Sequence, residues 1–198
     1  MSSLRINALI CQVANTNHAA RPVHRGDPRC GSPPGEIRRP QPVIGRFAQV
    51  GAIDRARDAG LILLALDCYG GSNRCLDMTA KYALTREQFG QIIGAFQGVK
   101  HQLADLATDL APSLSLCWYA AHAFDHMPDK SERHAAITKA HMTDVYDKVT
   151  RYAIELHGGI GFTWEYDLHL WWRRAVFDRA YLGEATYHRL RAADLAGW

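Results

Sequence analysis

The residues in this 198-residue chain with the chemistry to hold a metal or act as nucleophiles are ten histidines and five cysteines. His122 and His126 stand four apart, the spacing at which two ligands share one helix face. A di-iron bundle would need Glu-x-x-His on two helices, and the sequence has none. The pair is therefore expected to be exposed near a helix end, with no metal bound. The cysteines, at 11, 30, 68, 75 and 117, form no Cys-x-x-Cys pair. An odd count at such spacings points to buried thiols in a reducing cytoplasm rather than to disulfides or a zinc ribbon. No Gly-x-Ser-x-Gly elbow is present. The turn Gly158-Gly159-Ile160-Gly161 has a different capacity: it leaves backbone N–H groups free at a helix entry, a geometry that suits a phosphate.

The elements that must position these groups read as helices. From about Ile53 onward no strand-like alternation is found. Asp54 to Thr85 is apolar nearly all round between Ala59 and Tyr69, the pattern of a helix buried inside a bundle, and Gly70-Gly71 predicts close packing against a neighbour. Phe96, Val99, Leu103, Leu106, Leu110, Leu114, Cys117, Ala121 and Phe124 recur at steps of three and four along one stripe. Pro112 inside that pattern predicts a kink near Thr108 to Leu110 rather than two helices. Asp129, with Glu132 three residues on, reads as the cap of a third helix. Its inner face would carry Ile137, His141, Val145, Val149, Tyr152 and Leu156, and its outer face Lys139, Asp144, Lys148 and Arg151. Two more helices follow, from about Glu165 to Tyr181 and from about Glu184 to Leu195. The expected fold is all-α, an antiparallel helical bundle over residues 52–198.

Charge separates the front of the chain from the rest. Residues 1–45 carry six of the 18 arginines and two acids, and residues 22–42 hold six of the eight prolines. That combination, without periodicity, predicts an irregular or disordered segment over 1–45. The remainder is nearly neutral, with no basic patch for nucleic acid. The longest near-continuous apolar stretch, Gly60 to Leu66, ends at Asp67, far short of a membrane span.

Two blocks carry a resemblance. The first is Tyr82-Ala83-Leu84-Thr85-Arg86-Glu87-Gln88-Phe89-Gly90, continued by Ile93-Gly94-Ala95-Phe96-Gln97 and Lys100-His101-Gln102-Leu103-Ala104-Asp105. The second is Leu156-His157-Gly158-Gly159-Ile160-Gly161-Phe162-Thr163-Trp164-Glu165, continued through His169-Leu170 and Arg173-Arg174-Ala175. In this order, over residues 52–195, they resemble the C-terminal all-helical domain of the acyl-CoA dehydrogenase family, in a subgroup of bacterial lipid and sterol breakdown.

The resemblance implies FAD held between subunits and oxidation of an acyl-CoA thioester to its trans-2-enoyl form. A glutamate would take the α-proton, the β-hydrogen would leave as hydride to the flavin, and an electron-transfer flavoprotein would reoxidise it. By position, Arg86 and Gln97 would contact the diphosphate and adenosine part of FAD on a partner subunit. Phe89 would lie near the flavin edge, and the backbone of Glu155, Leu156, His157, Gly158 and Gly159 along the adenosine tail. The implied partners are a second copy or a related dehydrogenase subunit.

The departures from the family pattern bear on activity. The usual base position is Leu182, in Tyr181-Leu182-Gly183-Glu184, and the alternative position is Gly60. Neither residue can accept a proton. Glu184, Asp58 and Asp67 are the nearest carboxylates, and Glu184 is the candidate base if one acts. Glu155 replaces a usual glutamine, and a carboxylate beside a pyrophosphate would repel it unless turned away. Family subunits precede this bundle with a helical domain and a β-domain, which residues 1–52 cannot accommodate. The expectation is a dehydrogenase-like chain that is inactive alone, or a non-catalytic flavin-supporting or assembly subunit.

Overall fold

Helix α1 runs from Ala48 to Thr85 and is the longest element of the computed structural model, which describes residues 48–198, with side chains from 51. The segment 1–45, expected to be irregular, lies outside the described residues. After α1 come β1 (Glu87–Gln88) and β2 (Gln91–Ile92), a short 3-10 turn over Ile93–Ala95, α2 (Gln97–Leu110) and α3 (Ser113–His126). Helix α4 (Pro128–His157), a second 3-10 turn (Gly158–Phe162), α5 (Leu168–Ala180) and α6 (Ala185–Asp194) complete the fold. Residues Ile53–Trp198 make one compact unit.

The core forms where α4 is wrapped by its neighbours. Tyr146, Met142, Val149 and Ala153 of α4 pack with Ala65, Cys68 and Cys75 of α1, Leu106 and Leu110 of α2, Cys117 of α3, and Leu168 and Ala175 of α5. A second cluster joins Leu61 and Ile62 to Ala120, Ala121 and Ala135. Burial of these apolar groups, at roughly 25 cal/mol per Å², is what holds the bundle. Gly71 is the close approach expected of the glycine pair. A Cβ there would lie 2.5 Å from the Tyr146 ring, whereas Gly70 faces open space.

Four expectations are corrected. The Pro112 segment is a break between α2 and α3, not a kink within one helix, because proline cannot donate to the preceding turn. Two-residue strands pair antiparallel, Glu87 with Ile92 and Gln88 with Gln91, where only helices were expected. Asp129 lies inside the first turn of α4 rather than capping it, because Pro128 takes the first helical position and Met127 the cap. Lys139 is fully buried rather than outward-facing. Helix α4 is the central helix, packed against α1, α2, α3, α5 and α6, so its buried surface runs well beyond one stripe.

Candidate functional site

The candidate residues gather at two places along α1. At its C-terminal end, Tyr82 stacks on His157, with ring centroids 4.1 Å apart, and Tyr166 closes the cluster 4.9 Å from the imidazole. His157 ends α4, and its Nδ1 lies 2.7 Å from the Ala153 carbonyl. A carbonyl only accepts, so Nδ1 carries the proton and the buried Nε2 is left without a partner. Burial pushes the imidazole pKa down, opposed by the bond to Ala153. This stack ties the glycine turn to the hairpin, since Arg86 follows one helical turn after Tyr82.

The segments that meet there present exposed groups. Arg86 and Gln97 are both exposed, Gln97 as the first residue of α2. Phe89 is 91% exposed at the tip of the β1–β2 turn, where it adopts φ 54° and meets Phe96 edge-on at 6.2 Å. Gly158, at φ 66°, and Gly159 have open space where a Cβ would stand. Glu155 is exposed beside them, Leu156 is half-buried and His157 is buried. A guanidinium, a carboxamide, an uncovered aromatic ring and bare glycine backbone together can take an anion and a planar ring. These residue types fit one wall of a dinucleotide's distal half, with the exposed carboxylates of Glu155 and Glu87 as unfavourable charges.

The second place is the α5–α6 turn, which meets α1 at Gly60. Leu182 adopts φ 60° and Gly183 φ 106°. Lys139 of α4 reaches this turn with its Nζ, donating to the carbonyls of Arg179, at 3.0 Å, and Gly183. His188 of α6, also fully buried, donates from Nε2 to the Leu182 carbonyl at 3.0 Å, which leaves Nδ1 without a partner. Burial lowers the pKa of both groups. Beside them Asp178 is fully buried, paired with Arg174 at 3.1 Å and near the Cys68 thiol. Desolvation lifts its carboxyl to about 6 against the pull of Arg174. Glu184 is exposed at the cap of α6 with no capping bond from its side chain. Gly60 and Tyr82 are about 33 Å apart along the α1 axis, so the two groups of candidates cannot meet at one reacting atom.

Of three buried polar residues around this turn, the sequence pattern puts Lys139 outside and gives no place to Asp178 and His188. The only signal for them was indirect: Ala and Thr recur on every side of Lys139 in α4, the texture of a helix with no outer face. His122 and His126 are exposed with rings 4.7 Å apart, and no cluster of three metal-binding side chains occurs among the described residues. No helix among the described residues is long and apolar enough to cross a membrane.

Bundle, glycine turn and hairpin together define a known domain type. The family profile for the acyl-CoA dehydrogenase C-terminal domain matches residues 53–196. The chain belongs to the acyl-CoA dehydrogenase family. It is 36% identical over 141 residues to the acyl-CoA dehydrogenase IpdE2 of Mycobacterium tuberculosis, covering 71% of this chain and 42% of that protein. Among solved structures, the Tcur3481-Tcur3483 steroid ACAD superposes with a TM-score of 0.70 at 30% identity, over 74% of this chain and 40% of the other. The ChsE4-ChsE5 complex from Mycobacterium tuberculosis superposes at 0.66 and 26% identity, over 76% of this chain and 39% of the other. The chain thus spans less than half the length of these relatives.

Proposed function

We propose that this chain is the flavin-supporting helical part of an acyl-CoA dehydrogenase, and that it works only in assembly with chains supplying the remaining walls of the site. The observation that carries this reading is the contrast between the two ends of α1. At one end Arg86, Phe89, Gln97 and the Gly158–Gly159 backbone stand exposed in a form that suits the distal half of FAD. At the other, Leu182 and Gly60 occupy the positions where the family keeps its base. FAD, when bound, would supply hydride acceptance for α,β-dehydrogenation of an acyl-CoA. This chain's part would be to hold the anionic tail through Arg86 and Gln97. The steroid ACAD among the solved structures it resembles favours a steroid-derived acyl-CoA as the class of substrate for the assembly.

The exposed Phe177, Tyr181, Leu182, Tyr187 and Leu190 on α5, α6 and their turn favour a second reading, a non-catalytic subunit of a mixed oligomer. One experiment separates the readings. The purified chain should be colourless and should not reduce an artificial electron acceptor with acyl-CoA. Mixed with a full-length relative it should retain flavin, and Arg86→Ala should lower that retention without unfolding the bundle. Retention untouched by Arg86→Ala would favour the purely assembling subunit. A yellow preparation of the chain alone that turns over acyl-CoA, and loses activity in Glu184→Gln, would overturn both.

A further inference from the structure

The α5–α6 turn is held in a conformation that its own sequence resists. Leu182 sits at φ 60°, where a leucine Cβ crowds the following carbonyl oxygen. Such strain persists where the surroundings over-determine it, and it is a reason to look for a purpose. Here the surroundings are specific. Three backbone carbonyls, one at the end of α5 and two in the turn, are captured by two fully buried side chains: Arg179 and Gly183 by Lys139, and Leu182 by His188. Gly183 is obligatory, since at φ 106° a Cβ would lie 2.9 Å from Tyr187 Cδ1 and 3.1 Å from His188 Nε2.

Lys139 is the costly member of this arrangement. An ammonium withdrawn from water is expensive, and a methionine would fill the same space without that cost. Packing therefore does not account for a lysine here. Its two acceptors do, since they bracket Leu182: one lies in the last turn of α5, where a cation also meets the helix dipole, and the other lies just past Leu182.

We propose that Lys139 is the positioning residue of the α5–α6 turn, holding residue 182 in the left-handed conformation and so fixing where its side chain is presented beside Gly60. This deepens the functional reading and takes its meaning from it, because residue 182 is the family's base position. The turn would present a carboxylate there, but in this chain it presents a leucine.

The test reads the backbone sign at 182 through an alanine–glycine pair and involves no flavin. Leu182→Ala and Leu182→Gly are compared by urea denaturation of the full chain, first with Lys139 in place. At positive φ glycine escapes the Cβ clash, so the folding constant of the glycine variant should exceed that of the alanine variant by about fivefold. In Lys139→Met the turn is free to relax, and the preference should vanish or reverse. In Lys139→Gln, which can reach one carbonyl but not two, it should shrink by at least twofold. The same preference in Lys139→Met would mean that the lysine only packs, since independent effects add, and would overturn the proposal. Absence of any glycine preference with Lys139 in place would overturn it as well. Should Lys139→Met not fold, Lys139→Gln decides: a reduced preference supports positioning and an unchanged one refutes it. Failure of flavin retention in the mixed assembly would sink the functional reading and leave this result untouched.

Discussion

Gly60 faces Leu182 across the α1 contact: a Cβ built on Gly60 would come to rest 3.6 Å from Leu182 Cδ1. The two positions at which the family resemblance puts a base are therefore neighbours in space, although 122 residues separate them in the sequence. Both are filled by residues that cannot take a proton.

The same contact predicts a stability gain. At 3.6 Å the new methyl group of Gly60→Ala makes an ordinary van der Waals contact, and the position lies within α1. Glycine in a helix interior costs about 0.5–1 kcal/mol relative to alanine. Gly60→Ala should raise the unfolding free energy by about that amount in urea. A loss instead would show that Leu182 cannot yield any space.

Gly71 should behave in the opposite way. Its missing Cβ is occupied by the Tyr146 ring, 2.5 Å from where the methyl would sit, and Tyr146 is fully buried. Gly71→Ala must push a core aromatic aside, which typically costs about 1–3 kcal/mol. Gly70→Ala, with nothing nearby, serves as the control and should gain slightly. Thermal unfolding of the two variants side by side checks the contrast.

The close contact at the glycine pair was legible in the sequence because two adjacent glycines weaken an apolar helix, and close packing against a neighbour offsets that loss. The helical stripe was legible in part from its period: Leu106, Leu110, Cys117 and Ala121 are buried as their spacing predicts, whereas Leu114 of the same stripe is exposed. The central role of α4 was not, because its sequence reads as amphipathic while five helices pack around it. Lys139 was therefore placed outside on charge alone, and only tertiary structure reveals the carbonyls that accept from it. The kink expected at Pro112 failed for a subtler reason. Ala111 and Pro112 both keep helical dihedrals, so the stripe continues across a gap in hydrogen bonding that periodicity cannot register. At the candidate site, motif and order single out Arg86, Gln97 and the glycine turn, but nothing in the sequence indicates that Tyr82 and His157 stack between the hairpin and that turn.

Asp178 gives a pH-dependent prediction. Its folded pKa of about 6 lies above the unfolded value of about 3.9, so the folded state binds the proton more tightly. The stability this contributes is present below the unfolded value and is lost as pH rises through about 6. Asp178→Asn removes the buried charge without stranding Arg174, which is half in solvent and still paired with Asp67 at 2.9 Å. The variant should gain about 1–2 kcal/mol over the parent at pH 7.5, and the gain should fade toward pH 4. Urea titrations at the two pH values check it; a variant weaker than the parent at pH 7.5 would mean that the Arg174 pair outweighs desolvation.

His157 should act with the opposite sign. Burial holds its folded pKa below the ordinary histidine value, so below about pH 6.5 the unfolded chain takes up a proton that the folded chain refuses. Its contribution to stability is full above the unfolded value and is lost as pH falls from about 6.5 toward the folded pKa. Protonation would place a hydrogen on Nε2, which is buried without an acceptor beside Tyr82 and Tyr166. His134, His141 and His188 are lowered by burial too, so the parent chain should lose stability steeply in this range. His157→Phe keeps an aromatic ring against Tyr82 and removes one titrating group. It should flatten the slope of unfolding free energy against pH by up to about 1.4 kcal/mol per pH unit between pH 6 and 5. The variant should also lose some stability at pH 8, where the bond from Nδ1 to Ala153 is gone. Unfolding curves at intervals from pH 5 to 8 supply the measurement, and parallel profiles for parent and variant would show that His157 is protonated equally in the folded and unfolded chains.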